Sequence, residues 1–328
     1  MSKKTAIVTG VSSFVGCHIA KAFAASGYRV IAVTSHAQDA YDGIRAERLS
    51  FIEGQVTFAV CDLTDGDAVG ALIKIHQPDV WVQHAGYAIN YASADYDLEK
   101  SLVLNVKALE PLYRHLSGTD CGVIVTGSSM EYAPSDQADG EDDVCAPDMP
   151  YGVSKLAETV EAERLARQYN VPTRVARLYI PVGTYDAPGK LMDFVIKALA
   201  VGEGADLSPC TQNRDFIGVD DLCEAYLKLA EDFDRQTFDI FNICSGEALE
   251  LKALLVSLAE IMGVNQGLLN FSAKPMRPGE QMVSYGDNAK AKALLNWHPR
   301  PITRPLKDLV AHMRLGQHGS VTAVRAKD

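Results

Sequence analysis

Apolar residues in the first half of the chain occur in short continuous runs, and between the runs apolar positions recur with a helical period. Continuous apolar runs are typical of strands that are buried on both faces in a parallel sheet. The first two runs and the helical segment between them form a βαβ unit. We predict strands over residues 5–9, 28–33, 56–61, 80–83, 122–126, 173–179 and 238–243.

The turn after the first strand has the form of a nucleotide-binding loop, with the sequence GVSSFVG over residues 10–16. Gly10 permits the tight turn and Gly16 permits close packing of helix on strand, so the helix N-terminus is free to meet a pyrophosphate. The usual middle glycine is a serine here. The predicted cofactor contacts in this loop are Gly10, Ser12, Ser13, Phe14, Val15 and Gly16.

The end of the second strand bears on the choice of cofactor. Folds that bind NAD usually place an acid there, on the ribose 2′-hydroxyl. This chain has Thr34, Ser35 and His36 instead, and its next carboxylate is Asp39. Small hydroxyls and an imidazole are compatible with a 2′-phosphate, although no arginine is present to grip one. We therefore predict NADP, with NAD as the alternative.

Further cofactor contacts are predicted at the ends of later strands. Asp62 could hold an adenine amino group or cap the next helix, and Ala85 and Gly86 are small enough for close approach of a cofactor. A histidine such as His84 is more often packed than catalytic. A mid-helix asparagine such as Asn105, in a helix predicted over 95–116, is usually exposed. From these strand ends, the residues assigned to the cofactor are Asp62, Leu63, His84, Ala85, Gly86 and Thr126.

Tyr151 and Lys155 are the strongest candidates for catalysis. Four residues apart at the start of a helical pattern, after Pro150, they lie on one helix face. A free phenol has a pKa of ~10, and a neighbouring ammonium lowers it, which makes the pair a usable acid and base. Tyr96 and Lys100 share the spacing. Only Tyr151 follows a buried strand that ends in hydroxyl-bearing residues, where open α/β sheets bind ligands.

Composition excludes several classes of protein. The 328 residues carry a net charge of −11, which argues against non-specific binding to nucleic acid or to an anionic membrane. The seven cysteines are scattered, and neither they nor the eight histidines have metal-ligand spacing, so we predict no metal site and no disulfides. No apolar run approaches the roughly 20 residues of a membrane span, and no secretory segment is visible. We predict a cytoplasmic protein.

Two further features are candidates for substrate contact. The acidic stretch 135–147 is typical of a solvated surface loop, although it could instead lie over the substrate. Arg177, Arg214 and Arg277 are candidates for a phosphorylated substrate, and each could equally form a surface ion pair.

Taken together, these motifs resemble the extended short-chain dehydrogenase/reductase family, in its nucleotide-sugar epimerase/dehydratase/reductase branch. The resemblance runs from about residue 5 to 310. It places Ser128, Tyr151 and Lys155 on the family's catalytic serine or threonine, tyrosine and lysine, and Asn105 on its helix asparagine. It implies that Asn105, Tyr151 and Lys155 also contact the cofactor. It also rests on RDFIGVDD at 214–221, NICSG at 242–246 and RPGE at 277–280.

Two departures from the family pattern narrow the reaction. Sugar 4,6-dehydratases of the family carry Asp-Glu directly after the catalytic residue, where this chain has Ser129 and Met130, so a dehydratase is unexpected. Glu131 is one residue out of register for that role. Ile180 stands where many members have an asparagine that touches substrate phosphate. The substrate contacts we predict are Ser128, Ser129, Met130, Ile180, Arg214 and Arg277.

The resemblance implies a doubly wound parallel (Rossmann) sheet with a smaller C-terminal substrate domain. The implied division is 1–180 plus 214–243 for cofactor, 181–213 plus 244–315 for substrate, and a frayed tail over 316–328. It further implies a homodimer through helices near 98–116 and 151–169. We predict a 4-ketoreductase of a nucleotide-linked deoxy-keto sugar. Alternatives are a 4-epimerase, a reductase of a non-sugar carbonyl and, last, a cofactor sensor without catalysis.

Overall fold

The computed structural model describes residues 3–324. Its strands are β1 (Thr5–Thr9), β2 (Arg29–Thr34), β3 (Thr57–Val60), β4 (Val80–Gln83), β5 (Gly122–Ser128), β6 (Thr173–Leu178), β7 (Ile180–Val182), β8 (Ala205–Asp206), β9 (Asn213–Arg214), β10 (Phe216–Gly218), β11 (Phe238–Ile243), β12 (Leu249–Glu250), β13 (Leu269–Asn270) and β14 (Val283–Ser284). Its α-helices are α1 (Phe14–Ala25), α2 (Gly43–Ile52), α3 (Gly66–His76), α4 (Leu98–Ser101), α5 (Leu109–Leu116), α6 (Pro150–Tyr169), α7 (Leu191–Ala200), α8 (Val219–Leu229), α9 (Leu251–Met262), α10 (Ala289–Leu295) and α11 (Thr303–Val324).

The central sheet has seven parallel strands in the order β3-β2-β1-β4-β5-β6-β11. Ile7 in β1 is in register with Ile31 on one side and Trp81 on the other. The chain winds outward in both directions from β1 and β4, which creates the crevice where such sheets bind ligands. The predicted doubly wound parallel sheet is confirmed.

Two helical layers cover the sheet and form its core. Helices α1 and α8 pack on one face through residues such as Phe23 and Tyr226. Helices α3, α5 and α6 pack on the other face, where Tyr113 and Leu165 are fully buried. The continuous apolar strands are explained by this arrangement, because side chains on both faces of β1, β4 and β5 are buried.

A third hydrophobic cluster lies in the C-terminal part of the chain. It joins α7, α9 and α11 through residues such as Leu199, Leu255 and Leu306. Helix α11 runs to Val324, past the predicted start of the tail at Gly316, and residues 325–328 of that tail lie outside the described residues. Within residues 3–324, no helix combines the length and the apolar character that a membrane crossing needs.

Candidate active site

The start of α6, which carries Tyr151, packs against the turn that follows Ser128 at the end of β5. Pro150 occupies the first turn of α6, and Tyr151 follows it. At Gly152, an added Cβ would lie 2.1 Å from the carbonyl oxygen of Met130. The start of α6 therefore sits directly on the short 3₁₀ turn that follows Ser128, and only glycine permits this approach.

The Tyr151 ring is held by an aromatic cluster. Tyr91 and Tyr96 meet it edge-on, with ring centroids 5.6 Å and 5.7 Å away. The Tyr96 hydroxyl donates to the carbonyl of Tyr87 at 2.7 Å, which fixes its ring. Tyr96, which has the same four-residue spacing to a lysine as Tyr151, thus packs against Tyr151. Unlike Tyr151, Tyr96 does not lie in a helix, because α4 begins after it.

Lys155 is buried and paired with a carboxylate that the sequence had not singled out. Its Nζ contacts Glu158 Oε2, three residues further along α6. Burial by itself would lower the Lys155 pKa, but the charges of Glu158 and Tyr151 outweigh it and raise the pKa. The lysine therefore stays an ammonium. Burial raises the pKa of Tyr151, and the Lys155 ammonium acts in the opposite, predicted direction. The prediction of a net lowering is wrong because burial outweighs the lysine.

Ser128 ends β5 and is held in place by Glu131. Its backbone N–H donates to Glu131 Oε1 at 2.8 Å, and its hydroxyl oxygen accepts from the backbone of Met130 at 3.2 Å. The other Glu131 oxygen accepts from Thr159 at 2.8 Å and from Arg177 at 3.0 Å. Glu131 is fully buried and has a structural role. Arg177 is also buried and forms its ion pair with Glu131, so the predicted contact of Arg177 with a phosphorylated substrate is wrong.

The acidic stretch 135–147 is a largely exposed loop, as one of its two interpretations predicted, but it is anchored at its centre. Asp139 is buried, accepts from the Tyr179 hydroxyl at 3.0 Å, and accepts through its carbonyl from Asn242 at 2.7 Å. Glu141 accepts from the backbone of Asn242 at 2.8 Å. Burial raises the pKa of Asp139 to about 6. These contacts therefore hold the acidic loop against the ends of β6 and β11.

The loop between β1 and α1 has the geometry of a phosphate cradle. Gly10 has a φ of +71°, and an added Cβ would lie 2.8 Å from the backbone nitrogen of Ala85. At Gly16 an added Cβ would lie 2.2 Å from the Gly10 carbonyl oxygen. Ser13 caps α1 by accepting from the Gly16 N–H at 3.0 Å. No acidic residue occupies the first turn of α1, so these residues fit a pyrophosphate at the helix N-terminus.

His84 connects this loop to the sheet. Its Nε2 lies 3.0 Å from Ser13 Oγ and its Nδ1 lies 3.0 Å from Thr126 Oγ1. Burial, with a smaller effect of Lys155, lowers the His84 pKa to about 3, so the ring is neutral. Thr126 in turn is 2.7 Å from the Tyr226 hydroxyl. His84 is thus packed, as predicted, and its role is to align the cradle with β5.

Asn105 lies in a π-helical turn, 102–107, that interrupts the predicted helix over 95–116. The expectation of an exposed side chain is wrong, because Asn105 is fully buried. Its Oδ1 accepts from the Tyr87 N–H at 2.9 Å and its Nδ2 donates to Ser154 Oγ at 3.0 Å. Next to Gly86, it ties the segment after β4 to α6, and π-turns of this kind are frequent at functional sites.

The ends of β2 and β3 lie beside each other at the edge of the crevice. The buried Thr34 hydroxyl donates to the His36 carbonyl at 2.8 Å, whereas Ser35 and His36 are exposed. Asp62 is exposed and accepts from the backbone and hydroxyl of Thr64, next to Leu63. The alternative role of Asp62 as a helix cap is wrong, because Asp65 caps α3.

The predicted substrate contacts are more dispersed. Ser129 and Met130 form the half-buried turn after Ser128, and Ile180 is 41% exposed in β7. Arg214 is bound to Glu280 Oε1 at 2.7 Å. Arg277 is exposed on the loop that carries Glu280. Of the three arginines considered for a phosphate, only Arg277 makes no ion pair within the described residues.

Sequence reasoning missed several residues that organise the site. Glu158 could have been found from the pattern, since Tyr151, Lys155 and Glu158 recur at positions i, i+4 and i+7 of one helix face. The buried Arg48 donates to the carbonyls of Ser12 and Tyr185, at 3.1 Å and 2.9 Å, and so braces the cradle. No local signal marks this contact. Within residues 3–324, no metal-binding cluster of His, Cys, Asp or Glu occurs.

This fold and site define a dinucleotide-dependent enzyme class, and comparison with known proteins names it. Residues 6–244 match the family model described as the NAD dependent epimerase/dehydratase family. The chain belongs to this family.

The relatives of this chain include epimerases as well as a dehydrogenase. The chain is 24% identical to UDP-glucose 4-epimerase 1 of Oryza sativa subsp. japonica, over 90% of each chain. It is 28% identical to dTDP-6-deoxy-L-talose 4-dehydrogenase (NAD(P)(+)) of Kitasatospora kifunensis, over 79% of this chain and 82% of the relative. A variant of UDP-glucuronic acid 4-epimerase from Bacillus cereus, in complex with a fluorinated sugar nucleotide and NAD, has the same fold, with a TM-score of 0.82 at 20% identity over 95% and 99% of the two chains.

Proposed function

We propose that the protein is an NAD(P)H-dependent 4-ketoreductase of a nucleotide-linked deoxy-keto sugar. The observation that carries this proposal is the turn after Ser128, where Ser129 and Met130 supply no acid and Glu131 is fully occupied by Ser128, Thr159 and Arg177. Elimination of water from a sugar needs an acid and a base in addition to the tyrosine. The Ser128, Tyr151 and Lys155 set supports carbonyl reduction without them.

The chain's own residues divide the work of carbonyl reduction. When bound, the reduced nicotinamide supplies a hydride for the carbonyl carbon. Tyr151 donates its phenolic proton to the carbonyl oxygen. Ser128 Oγ accepts from Met130, which leaves its own O–H free to donate to the developing oxyanion. Lys155 uses one N–H on Glu158 and has two more for the cofactor ribose.

For the cofactor, we propose NADP, with NAD as the alternative. The cradle of Gly10, Ser13 and Gly16 suits the pyrophosphate of either. The end of β2 offers the exposed Ser35 and His36 and no carboxylate, which leaves space for a 2′-phosphate. The name of the Kitasatospora relative includes both cofactors.

For the substrate, we propose a nucleotide sugar held between the central sheet and the C-terminal hydrophobic cluster. The Kitasatospora relative supports a 6-deoxy sugar, and Arg277 is the cation we assign to its diphosphate. We assign residues 181–213 and 244–315 to the substrate domain, which the C-terminal hydrophobic cluster supports. The partly exposed Val103, Val153 and Val160 on neighbouring helical segments support a homodimer through 98–116 and α6.

A nucleotide-sugar 4-epimerase is the second candidate, because it uses the same three residues and the Oryza relative is one. Exposed Ile180, in place of a phosphate-binding asparagine, favours a reductase of a non-sugar carbonyl instead. A sensor without catalysis is the weakest candidate, since it needs neither Tyr151 nor Lys155.

Mass spectrometry of the nucleotide released on denaturation, together with two assays, separates these functions. We expect little retained cofactor, and reduction of NADP⁺ by dTDP-6-deoxy-L-talose. Stoichiometric retained NAD, with conversion of UDP-glucose to its 4-epimer and no net cofactor change, would establish the epimerase instead. Turnover of neither sugar nucleotide would contradict both.

A further inference from the structure

The buried pair of Lys155 and Glu158 has a feature that carbonyl reduction itself does not explain. Glu158 is 1% exposed and contacts Lys155 Nζ through one carboxylate oxygen. Its other oxygen, Oε1, is buried and has no hydrogen-bond partner within the described residues. A buried carboxylate with one unpartnered oxygen is unfavourable for folding. Its presence therefore points to a role other than stability.

The arrangement along α6 indicates what that role is. Tyr151, Lys155 and Glu158 follow each other on one helix face over about two turns, with the lysine between the phenol and the carboxylate. A lone ammonium beside a phenol favours phenolate and loss of the proton. A carboxylate on the far side of the ammonium offsets this effect and fixes the position of Nζ.

We propose that Glu158 is a positioning residue for the proton donor, which holds Lys155 and balances part of its charge, so that Tyr151 loses its proton at a higher pH than it would beside an unpaired ammonium. This inference rests on the proposed function, in which Tyr151 protonates a carbonyl oxygen. A carbonyl reductase needs the phenol protonated when substrate arrives, and the buried carboxylate extends that condition to higher pH.

Other groups around the pair do not supply the same charge. Glu131, on the turn after β5, is compensated by Arg177. The other titratable side chains near Tyr151 and the pair come from the segment after β4, from α5 and from α8, and none of them is a carboxylate: they are His84, Tyr91, Tyr96, Tyr113 and Tyr226. Glu158 is thus the carboxylate whose charge Lys155 meets directly.

The test measures the ionisation of Tyr151 itself, without any sugar substrate. 3,5-Difluorotyrosine is incorporated at position 151 by a suppressor tRNA, and its fluorine NMR signal is followed as pH is raised. In Glu158→Gln we expect the midpoint to fall by about one pH unit or more, the scale on which a nearby charge shifts a pKa. Glu158→Asp, which keeps the charge, should shift it by less than half as much.

Glu161→Gln is the matched control, because Glu161 lies on the same helix and pairs with the exposed Arg164. Its midpoint should equal that of the parent protein. A Glu158→Gln midpoint that is unchanged or higher would overturn the proposal, and so would an equal fall in Glu158→Asp.

If the Glu158→Gln protein does not fold, a second comparison still tests the proposal. In that case Glu158→Asp is the test variant: its shorter side chain moves the charge away from Lys155 Nζ, so its fluorine midpoint should fall measurably below that of the parent protein, whereas the Glu161→Gln midpoint should not. Equal midpoints in Glu158→Asp and the parent protein would contradict the proposal. Because no sugar is used, a normal fluorine result with no turnover of dTDP-6-deoxy-L-talose would refute the proposed function and not the role of Glu158.

Discussion

Arg177 Nε donates to Glu131 Oε2 at 3.0 Å, and both side chains are almost completely buried. The two residues are far apart in sequence, on the turn after β5 and on β6. The same carboxylate accepts from the Ser128 N–H, so this ion pair connects the stability of the sheet to the position of a catalytic candidate.

Glu131→Gln should strongly destabilise the fold, because it leaves the buried guanidinium of Arg177 without a compensating charge. Breaking one partner of a buried pair typically costs about 3–5 kcal/mol, and we expect a loss of this order in urea unfolding. Arg164→Gln removes an exposed pair on α6 and should leave the urea midpoint nearly unchanged. A Glu131→Gln loss as small as that of Arg164→Gln would show that water or another group reaches Arg177.

Tyr151→Phe should reduce turnover of dTDP-6-deoxy-L-talose by about 100-fold or more, the usual contribution of a positioned proton donor. Binding of NADPH, measured by the change in its fluorescence, should persist because the ring still fills its place between Tyr91 and Tyr96.

Tyr96→Phe is the control for the loss of a hydroxyl in the same cluster. It removes only the bond to the Tyr87 carbonyl and keeps the ring beside Tyr151, so we expect less than about a 10-fold effect on turnover. Equal losses in the two variants would mean that Tyr151 acts through packing and not through its proton.

Gly16→Ala should abolish cofactor binding while much of the fold remains. The new methyl group would lie 2.2 Å from the Gly10 carbonyl oxygen, so the loop and α1 must separate and the cradle is distorted. Titration with NADPH and with NADH measures the effect. Gly140→Ala is a matched control, since its nearest neighbour would be 3.5 Å away, and it should bind both cofactors normally. Normal binding by Gly16→Ala would refute the assignment of this loop.

How much of this could be predicted from the sequence depends on the range of the interactions involved. The parallel sheet could be predicted, because strands buried on both faces are continuous apolar runs. The proximity of Tyr151 and Lys155, and the cradle from Gly10 to Gly16, follow from local spacing within one helix or turn.

The parts that could not be predicted depend on contacts between distant segments. Asn105 is buried because it bridges Tyr87 and Ser154, and nothing near it in sequence reveals either partner. From the sequence, Arg177 could be interpreted as a surface cation, but in the fold it is buried and its charge is compensated by Glu131, on the turn after β5. Whether a buried or exposed polar residue is structural, or is available to bind a ligand, depends on partners that are distant in sequence. The spacing of residues along the chain does not identify those partners.

Asp139 should make the stability of the fold depend on pH. Burial raises its pKa from 3.8 in the unfolded chain to about 6 in the fold, so the folded state binds more protons between these values. Its favourable contribution is therefore fully present below about pH 4 and is lost as pH rises through about 6. A shift of this size corresponds to roughly 3 kcal/mol, since one unit is about 1.4 kcal/mol.

Asp139→Asn should remove this dependence, because an amide stays neutral at every pH and can still accept from the Tyr179 hydroxyl. In urea unfolding, we expect the variant to be more stable than the parent protein at neutral pH and about equal to it in acid. Asp142→Asn, at an exposed position of the same stretch, should keep the parent pH profile. If Asp139→Asn were less stable at neutral pH, the ionised carboxylate would have to be stabilised by its contacts with Tyr179 and the backbone more than burial disfavours it.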